Sequence, residues 1–285
     1  MHLNKKQIFT VILAVLTVFS ICACNKNTHE QAEVDVPPVT GLLDIEILDI
    51  GKADAIVLTS QDSTVLIDCG EKGDGKDVIE YLSSKNIDSI DCMFITHFDQ
   101  DHVGGAKKIL NSIDVKKIIT PDYKGTNDEY NEFIAALDEN ELTASILEKT
   151  MSFVVDDVLY EIYPPKKKRY AEGDNDFSLV IKVTHGENTL LFAGDSEEER
   201  LAELDSQVML DSDFLKVPHH GNYNNNTKKF LHEVSPKYAV ITCSEKNPSS
   251  QEIIDILTDL KCRTYLTQNG NVNVKSDGQK IEVNQ

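Results

Sequence analysis

Positive charge is what this chain has least of. Its 285 residues carry 28 Lys and Arg against 48 Asp and Glu, a net charge of 28 − 48 = −20. A surface that acidic repels nucleic acid at long range. It excludes a high-affinity, non-specific nucleic-acid coat and leaves room for a local basic groove. Long apolar runs are missing after residue 23, so no later segment can span a bilayer. A cysteine framework is missing too. Of six cysteines, Cys22 and Cys24 fall in the apolar N-terminal segment. The spacing of Cys69, Cys92, Cys243 and Cys262 fits neither a zinc knuckle nor a small disulfide scaffold. Each lies beside an apolar run, as a buried free thiol does, although an oxidising compartment would let a pair bridge. No internal repeat and no break in composition divides the chain after Leu42.

What is present begins with an export signal. Lys5 and Lys6 precede the uncharged stretch Ile8–Ala23, about sixteen residues long and short for a spanning helix. It ends in Ile21-Cys22-Ala23-Cys24, which resembles a bacterial lipobox. That resemblance implies a signal peptide over 1–23, cleavage before Cys24 and lipid on its thiol. Losing Lys5 and Lys6 would leave a mature chain at 26 − 48 = −22. An uncleaved membrane anchor is the alternative. Either way the body is expected at the extracytoplasmic face of a bacterial cell membrane, touching the membrane through its anchor only. Asn25–Thr40 is polar and holds Pro37-Pro38, so 24–41 reads as a lipidated cysteine and flexible tether. Residues 42–285 then form one domain. Hydrophobic content of 40% and charged content of 27% suit a globular core of that size.

Within 42–285, β-rich runs come first, at Leu42–Ile50, Ala55–Thr59 and Thr64–Asp68. Helices and strands then alternate. Asp77–Ser84, Gly105–Asn111 and Asp128–Asn140 read as helices, with Phe133, Ile134 and Leu137 at helical spacing in the last. Cys92–Thr96, Lys117–Thr120, Val158–Tyr163, Ser178–Thr184 and Thr189–Ala193 read as strands. His185-Gly186-Glu187-Asn188 is a hairpin turn with His185 as a turn residue. The second half continues with strands Phe214–Val217 and Tyr238–Thr242, and with helices Lys228–Glu233, carrying an exposed His232, and Gln251–Leu260. Ser249 and Glu252 form a capping box for that last helix. The expected class is α/β, packed as two sheets covered by helices on the outside.

The chemistry concentrates in Thr96-His97-Phe98-Asp99-Gln100-Asp101-His102-Val103-Gly104-Gly105. Four metal-capable side chains within six residues, at a strand end before a Gly-Gly turn, are hard to explain by packing. Alternate residues at a strand end point the same way, so His97 and Asp99 can share one ion. Asp101 and His102, past the bend, can face a second. Ala193-Gly194-Asp195 ends another apolar strand; alone, Asp195 would serve equally as the N-cap of a helix over Ser196–Leu204. Lys216-Val217-Pro218-His219-His220-Gly221 ends a third strand; alone it would be a polar loop. Half of the eight histidines lie in these motifs.

His97-x-Asp99-x-Asp101-His102 resembles the HxHxDH signature of the metallo-β-lactamase superfamily with its second His replaced by Asp. Together with Leu48-Asp49-Ile50-Gly51, Leu66-Ile67-Asp68-Cys69-Gly70, Asn175-Asp176-Phe177-Ser178-Leu179-Val180, Gly194-Asp195 and Leu215–Gly221, it resembles the metallo-β-lactamase-like domain of the ComEC competence family. The resemblance runs in order from about Leu42 to the C-terminus. It implies a four-layer αββα sandwich with its site at the strand ends. The membrane channel of ComEC has no counterpart here, so the chain is not itself a DNA translocase. Three departures stand out. Gly51-Lys52-Ala53-Asp54 replaces Gly-Gln-Gly-Asp. Asn247-Pro248-Ser249-Ser250 stands where related chains often carry a His. No His fills the middle ligand position, for which Asn175 or Asp176 is nearest.

The resemblance further implies a metal-dependent hydrolase with two divalent ions, zinc or manganese, held by His97, Asp99, Asp101, His102, Asp195 and His220. Asp99 makes the site richer in oxygen, which favours manganese more than an all-His site would. A metal-bound hydroxide would attack phosphorus, with Asp195 shared between the ions and Asp101 orienting the nucleophile. One of His219 and His220 would complete the metal shell, and the other would protonate the leaving oxygen. A phosphodiester, as single-stranded DNA or another nucleotide polymer outside the cell, is the expected substrate. Lys166, Lys167, Lys168 and Arg169 would hold phosphates near Asn175 and Ser178, with Tyr170 stacking on a base; a solvated loop is the plainer reading of that run. Two other functions compete: a metallohydrolase acting on a small ester, lactone or amide, and a catalytically weak surface lipoprotein that binds DNA. The sequence names no protein partner.

Overall fold

Alternation along the strands separates the layers. In Ser63–Ile67, Val65 and Ile67 join one apolar cluster and Leu66 another. In Cys92–Phe94, Cys92 and Phe94 face the first cluster and Met93 the second. The other half of the chain behaves alike: Leu190 and Phe192 enter the shared cluster, while Leu191 enters a third. Successive strand side chains point to opposite faces. One apolar cluster therefore lies between two sheets, and one lies outside each sheet under its helices. That is the four-layer αββα arrangement. The computed structural model describes residues 36–285 apart from 172 and 205.

The first sheet has eight strands, in spatial order Ile281–Asn284, Val272–Ser276, Leu43–Ile47, Ile56–Ser60, Ser63–Ile67, Cys92–Phe94, Ile118–Pro121 and Ala144–Leu147. The second has seven: Arg263–Leu266, Tyr238–Ile241, Phe214–Lys216, Asn188–Phe192, Val180–His185, Val158–Tyr163 and Met151–Val155. Each sheet is antiparallel on one side and parallel on the other. The parallel series of the first runs from Ser63–Ile67 to Ala144–Leu147. That of the second runs from Asn188–Phe192 to Arg263–Leu266. Loops leaving the carboxyl ends of parallel strands gather at one edge, where open α/β sheets place their ligands.

Helices Gly75–Ser84, Ala106–Leu110 and Asp128–Glu139 cover the first sheet through Val78, Leu82, Ile109, Phe133 and Leu137. Asn127 starts the longest of them by accepting from the Tyr130 amide at 2.7 Å, a side-chain N-cap. Glu198–Leu204, Thr227–Val234 and Gln251–Asp259 cover the second. The Gly104-Gly105 turn lets the metal-motif segment lie flat against its neighbours. A Cβ on Gly105 would sit 2.0 Å from the Cys69 carbonyl oxygen, and one on Gly104 would sit 2.6 Å from the Lys72 amide.

Several expectations need correction. The helix after Asp195 begins at Glu198, and Asp176 anchors it: Asp176 Oδ1 accepts from the amides of Glu197 and Arg200 at 2.8 and 3.1 Å. Asp195 is thereby free of the capping role. The Ser249–Glu252 capping box does not form. Ser250 is the N-cap residue, without a side-chain cap bond, and its hydroxyl accepts from the Tyr223 amide. His185, expected as a turn residue, is the buried end of its strand, with Nδ1 2.8 Å from Ser276 Oγ. His232 is exposed on its helix. Cys69, Cys92, Cys243 and Cys262 are all free thiols. No helix among the described residues is long and apolar enough to cross a membrane. Cys24, the signal segment and most of the proposed tether lie outside the described residues.

The last residues assigned to the tether belong to the domain. Asp157 Oδ2 accepts from Thr40 N, Thr40 Oγ1 and Gly41 N at 2.5, 3.0 and 2.9 Å. Burial works to raise the Asp157 pKa, and the Thr40 contacts outweigh it, so the carboxyl titrates below its usual range. Asp157→Ala should lower unfolding free energy in urea by about 1–3 kcal/mol at neutral pH, the worth of hydrogen bonds to a charged acceptor. A depressed folded-state pKa stabilises above the unfolded value of about 3.9 and stops doing so as pH falls through the folded one. The difference between the two proteins should therefore vanish in acid. Equal stability at neutral pH would show that Asp157 does not hold this segment.

Candidate metal centre

Most inner residues of the site sit just past the end of a strand at the same edge, and Asp101 and His102 lie on the short helix that follows His97. Asp68 follows Ser63–Ile67, His97 follows Cys92–Phe94, and Asp195 follows Asn188–Phe192. His220 follows Phe214–Lys216, and Thr242 follows Tyr238–Ile241. Asp54 reaches the same edge from the start of Ile56–Ser60, which runs antiparallel to Ser63–Ile67. The backbone bends sharply where the ligands leave. Asp68, His219 and His220 have φ of 60°, 47° and 52°, left-handed values that cost energy for residues with a Cβ. Gly194, at φ 54°, could not carry a Cβ, which would lie 2.8 Å from Ser178 Oγ. That close approach lets the Asp195 amide donate to Ser178 Oγ at 3.0 Å.

Three imidazoles are fixed by what their Nδ1 atoms meet. His102 Nδ1 lies 2.8 Å from Asp68 Oδ2. His220 Nδ1 lies 2.9 Å from Thr242 Oγ1 and 3.1 Å from the Thr242 carbonyl oxygen. His97 Nδ1 lies 3.1 Å from Thr96 Oγ1 and 3.4 Å from Ser178 Oγ. The hydroxyl protons are already committed: Thr96 donates to Asp68 and Thr242 to Asp54, each at 2.7 Å. These partners set the rings to hold a proton on Nδ1 and to aim Nε2 inward, where it offers a lone pair once a cation takes the place of a second proton. Each of those Nε2 atoms is buried without a hydrogen bond, as is Asp195 Oδ1.

Asp195 stands between two of the rings. Its Oδ1 is 3.3 Å from His102 Nε2, and its Oδ2 is 3.1 Å from His220 Nε2. Asp101 Oδ2 is 3.4 Å from His220 Nε2. Ligand atoms of Asp101, His102, Asp195 and His220 all lie within 4.8 Å of one another. A carboxylate facing two imidazole lone pairs is repulsive unless a cation comes between them. The protonation equilibria express the same demand. Burial opposes charge on His102 and His220, yet Asp195 outweighs it and raises both. Burial and the nearby His102 push His97 down to about 3, keeping its lone pair free. The donor set, His nitrogen with carboxylate oxygen, is that of a divalent metal site.

A second ring orients these ligands. Asp68 Oδ1 also accepts from the Thr96 amide at 2.7 Å. Burial raises the pKa of Asp54, and the ammonium of Lys216, paired with its Oδ2, outweighs that and lowers it. Lys216 Nζ also lies 3.7 Å from Asp195 Oδ1. Asp54, Asp68 and His102 likewise group within ligand distance, but Asp54 and Asp68 already have partners in this ring. Sequence reasoning gave no role to Asp54, Thr242 or Lys216. A charged residue inside an apolar run, as in Ala53-Asp54-Ala55-Ile56 and Phe214-Leu215-Lys216-Val217, was the available signal, because a buried charge must find its opposite.

The remaining predicted residues separate. Asp99 Oδ2 is 3.8 Å from His97 Nε2, and burial with Asp174 and Asp101 pushes its carboxyl up to about 6. Asp99, Asp101, Asn175, Asp195 and His219 line a cavity of about 360 Å3, joined by Lys52, Gln100 and Asn127. His219 Nδ1 is 2.7 Å from Glu197 Oε1, and its Nε2 is 3.5 Å from Asn175 Nδ2. Ser178 is fully buried and supports His97 and Asp195 from behind, out of reach of a substrate. Asp176 is occupied by its helix. The basic run does not reach the cavity. Lys167 pairs with Glu199 and Lys168 with Asp122, and both line a different groove. Arg169 is exposed. Tyr170 packs edge-on against Phe177 and donates to Glu203.

Comparison with known proteins agrees with this geometry. The chain is 26% identical over 253 residues to ComE operon protein 3 of Bacillus subtilis (strain 168), covering 80% of this chain and 32% of that protein. It is 26% identical over 209 residues to Recombination protein 2 of Haemophilus influenzae, covering 72% and 24%, and 24% identical over 208 residues to Competence protein ComA of Neisseria gonorrhoeae, covering 71% and 27%. It thus spans about a third or less of these relatives. The metallo-beta-lactamase fold protein YhfI from Bacillus subtilis superposes with a TM-score of 0.55 at 10% identity, over 85% of this chain and 100% of that one; this likeness concerns the fold. The Metallo-beta-lactamase superfamily profile matches residues 48–244. The chain belongs to the metallo-β-lactamase superfamily, as a ComEC-like metallo-β-lactamase domain.

Proposed function

We propose that this chain is a metal-dependent phosphodiesterase that cuts single-stranded nucleic acid, acting at the outer face of a bacterial membrane through lipid on Cys24. The observation that carries the hydrolase reading is the convergence of two buried, unpartnered Nε2 atoms, of His102 and His220, on Asp195. His97, Asp99, Asp101, His102, Asp195 and His220 would hold the ions. Bound divalent ions lower the pKa of coordinated water and neutralise phosphoryl oxygens.

The cavity wall favours a phosphodiester over a small ester, lactone or amide. Its lining contains no aliphatic or aromatic side chain, whereas small-molecule pockets are mostly apolar. Its own carboxylates would repel phosphate, so a phosphodiester substrate depends on the metals to invert the local charge. Lys52, half-buried on the wall, supplies a fixed cation for a non-bridging oxygen. The relatives named for competence and recombination point to DNA. Asp101 accepts a hydrogen bond from attacking water. His219, on the wall with Nδ1 held by Glu197, carries the proton for the leaving oxygen on Nε2. Glu197 favours the imidazolium form before the transfer, and His219 is left neutral once the leaving oxygen has taken the Nε2 proton.

Manganese-loaded protein covering Lys26–Gln285 should cleave labelled single-stranded DNA. Asp101→Asn should lower kcat by about 100-fold or more. Metal-replete protein that leaves DNA intact and turns over a generic ester would move the assignment to a small-molecule hydrolase; binding without turnover would make it a binding protein. The two adjacent histidines should behave differently. His220→Gln should lose bound metal by elemental analysis, while His219→Gln should keep it and lose about 100-fold in kcat. The opposite pattern would reverse their roles. Asp68→Asn keeps the side chain's shape but no longer accepts from His102 Nδ1–H as an anion. Metal titration should show affinity weakened about 10–100-fold; unchanged affinity would remove Asp68 from the orienting ring.

A further inference from the structure

A second groove opens beside the metal cavity, and its charge is opposite to that of the chain. Lys72, Lys76, Lys107 and Lys108 line a space of about 470 Å3 floored by Gly104. Four ammonium groups converging on one groove stand out in a chain with a net charge of −20. Lys72 pairs with Glu132 at 2.5 Å and Lys76 with Glu80 at 3.0 Å. Lysine pairs this exposed exchange readily for a stronger anion. Among the described residues, Lys107 and Lys108 make no ion pair, although Lys107 lies in the field of Glu132.

Two helices connect this groove to the metal cavity. The single turn Gln100–Val103 puts Gln100 and Asp101 on the cavity wall and ends at Gly104 in the groove. At 1.5 Å per residue, Asp101 and Gly104 are separated by roughly 5 Å along the helix. The helix Asp128–Glu139 puts its cap residue Asn127 on the cavity wall and Glu132 on the groove, roughly 8 Å further on. A chain of phosphates with one diester at the metals would therefore lay its next phosphates among these lysines.

We propose that the groove of Lys72, Lys76, Lys107 and Lys108 is the track for the phosphate backbone of a single-stranded nucleic acid whose scissile diester lies at Asp101 and Asp195. The inference rests on the phosphodiesterase reading for its substrate. It assigns to this groove the role that the sequence suggested for Lys166–Arg169. The continuity of groove and cavity favours a substrate strand over a membrane surface, which would need no link to the metal ligands.

The test uses the full chain in detergent, loaded with manganese, and the double variant Lys107→Gln, Lys108→Gln. Two substrates are compared: a labelled oligothymidylate and bis(p-nitrophenyl) phosphate, a diester too small to span both spaces. The variant should raise KM for the oligonucleotide about tenfold and leave the small diester unchanged. Oligonucleotide binding is measured in parallel in an Asp101→Asn background, where turnover plays no part. There the slope of log K against log salt should flatten by about 1.4, since each single-strand phosphate contact contributes about 0.7. Unchanged KM and slope would overturn the proposal even if both diesters are cleaved. Failure of the parent to cleave either diester would sink the phosphodiesterase reading instead, and lysine-dependent oligonucleotide binding would still support the groove. Lysine-dependent attachment to phosphatidylglycerol vesicles without such oligonucleotide binding would overturn the proposal and give the groove to the membrane surface.

Discussion

The centre depends on where three protons sit. His97, His102 and His220 each hold a proton on Nδ1 because an oxygen of the second ring accepts it. Those oxygens can accept because their own hydrogens go elsewhere, from Thr96 to Asp68 and from Thr242 to Asp54. Were either hydroxyl to turn, the Nε2 lone pair it secures would no longer be guaranteed to face the cavity. Metal affinity is set as much by this outer ring as by the ligands it aims.

The ring also explains why so much charge is buried. Asp54, Asp68 and Asp195 are almost fully excluded from solvent, with Lys216 as their buried ammonium. With His102 and His220 neutral, one lysine does not neutralise three carboxylates, and an uncompensated buried charge is costly. The protein itself leaves a deficit of positive charge at the place where the lone pairs converge. A bound cation there serves the fold and the chemistry together. The left-handed backbone at Asp68, His219 and His220 is part of the same cost: the strands end where ligands must turn inward, and the turns are held by packing around them.

The legibility of the sequence follows from how local each feature is. The metal motif was readable because four metal-capable side chains crowd into six residues after an apolar strand. The layers were readable because buried strands alternate. Among the strands that escaped, Ala144–Leu147 and Met151–Val155 are each an edge strand of its sheet. Their side chains are largely half-buried or exposed, so the apolar pattern is diluted. The second ring was readable only as isolated charges in apolar runs, not as a network. Thr242 and Asp54 are 188 residues apart, and nothing in a lone threonine announces such a partner. The basic run misled for the converse reason. Charge density alone marked it, and the acids that pair with it, Asp122 and Glu199, come from distant segments.

For the nucleic-acid substrate proposed above, distance resolves the conflict with an acidic chain. At physiological ionic strength, exposed charges are screened beyond about 8 Å, so the net charge governs approach more than binding. What a strand meets on contact is set by Lys52, the metals and the four-lysine groove, all at one edge of the sandwich. Without metals that edge presents Asp99, Asp101 and Asp195, and contact is repulsive at short range as well. In that proposal, metal loading would decide whether a polyanion is admitted before it decides whether it is cut. Binding of substrate and binding of metal should consequently be linked in this protein, with each ligand strengthening the other by the same factor.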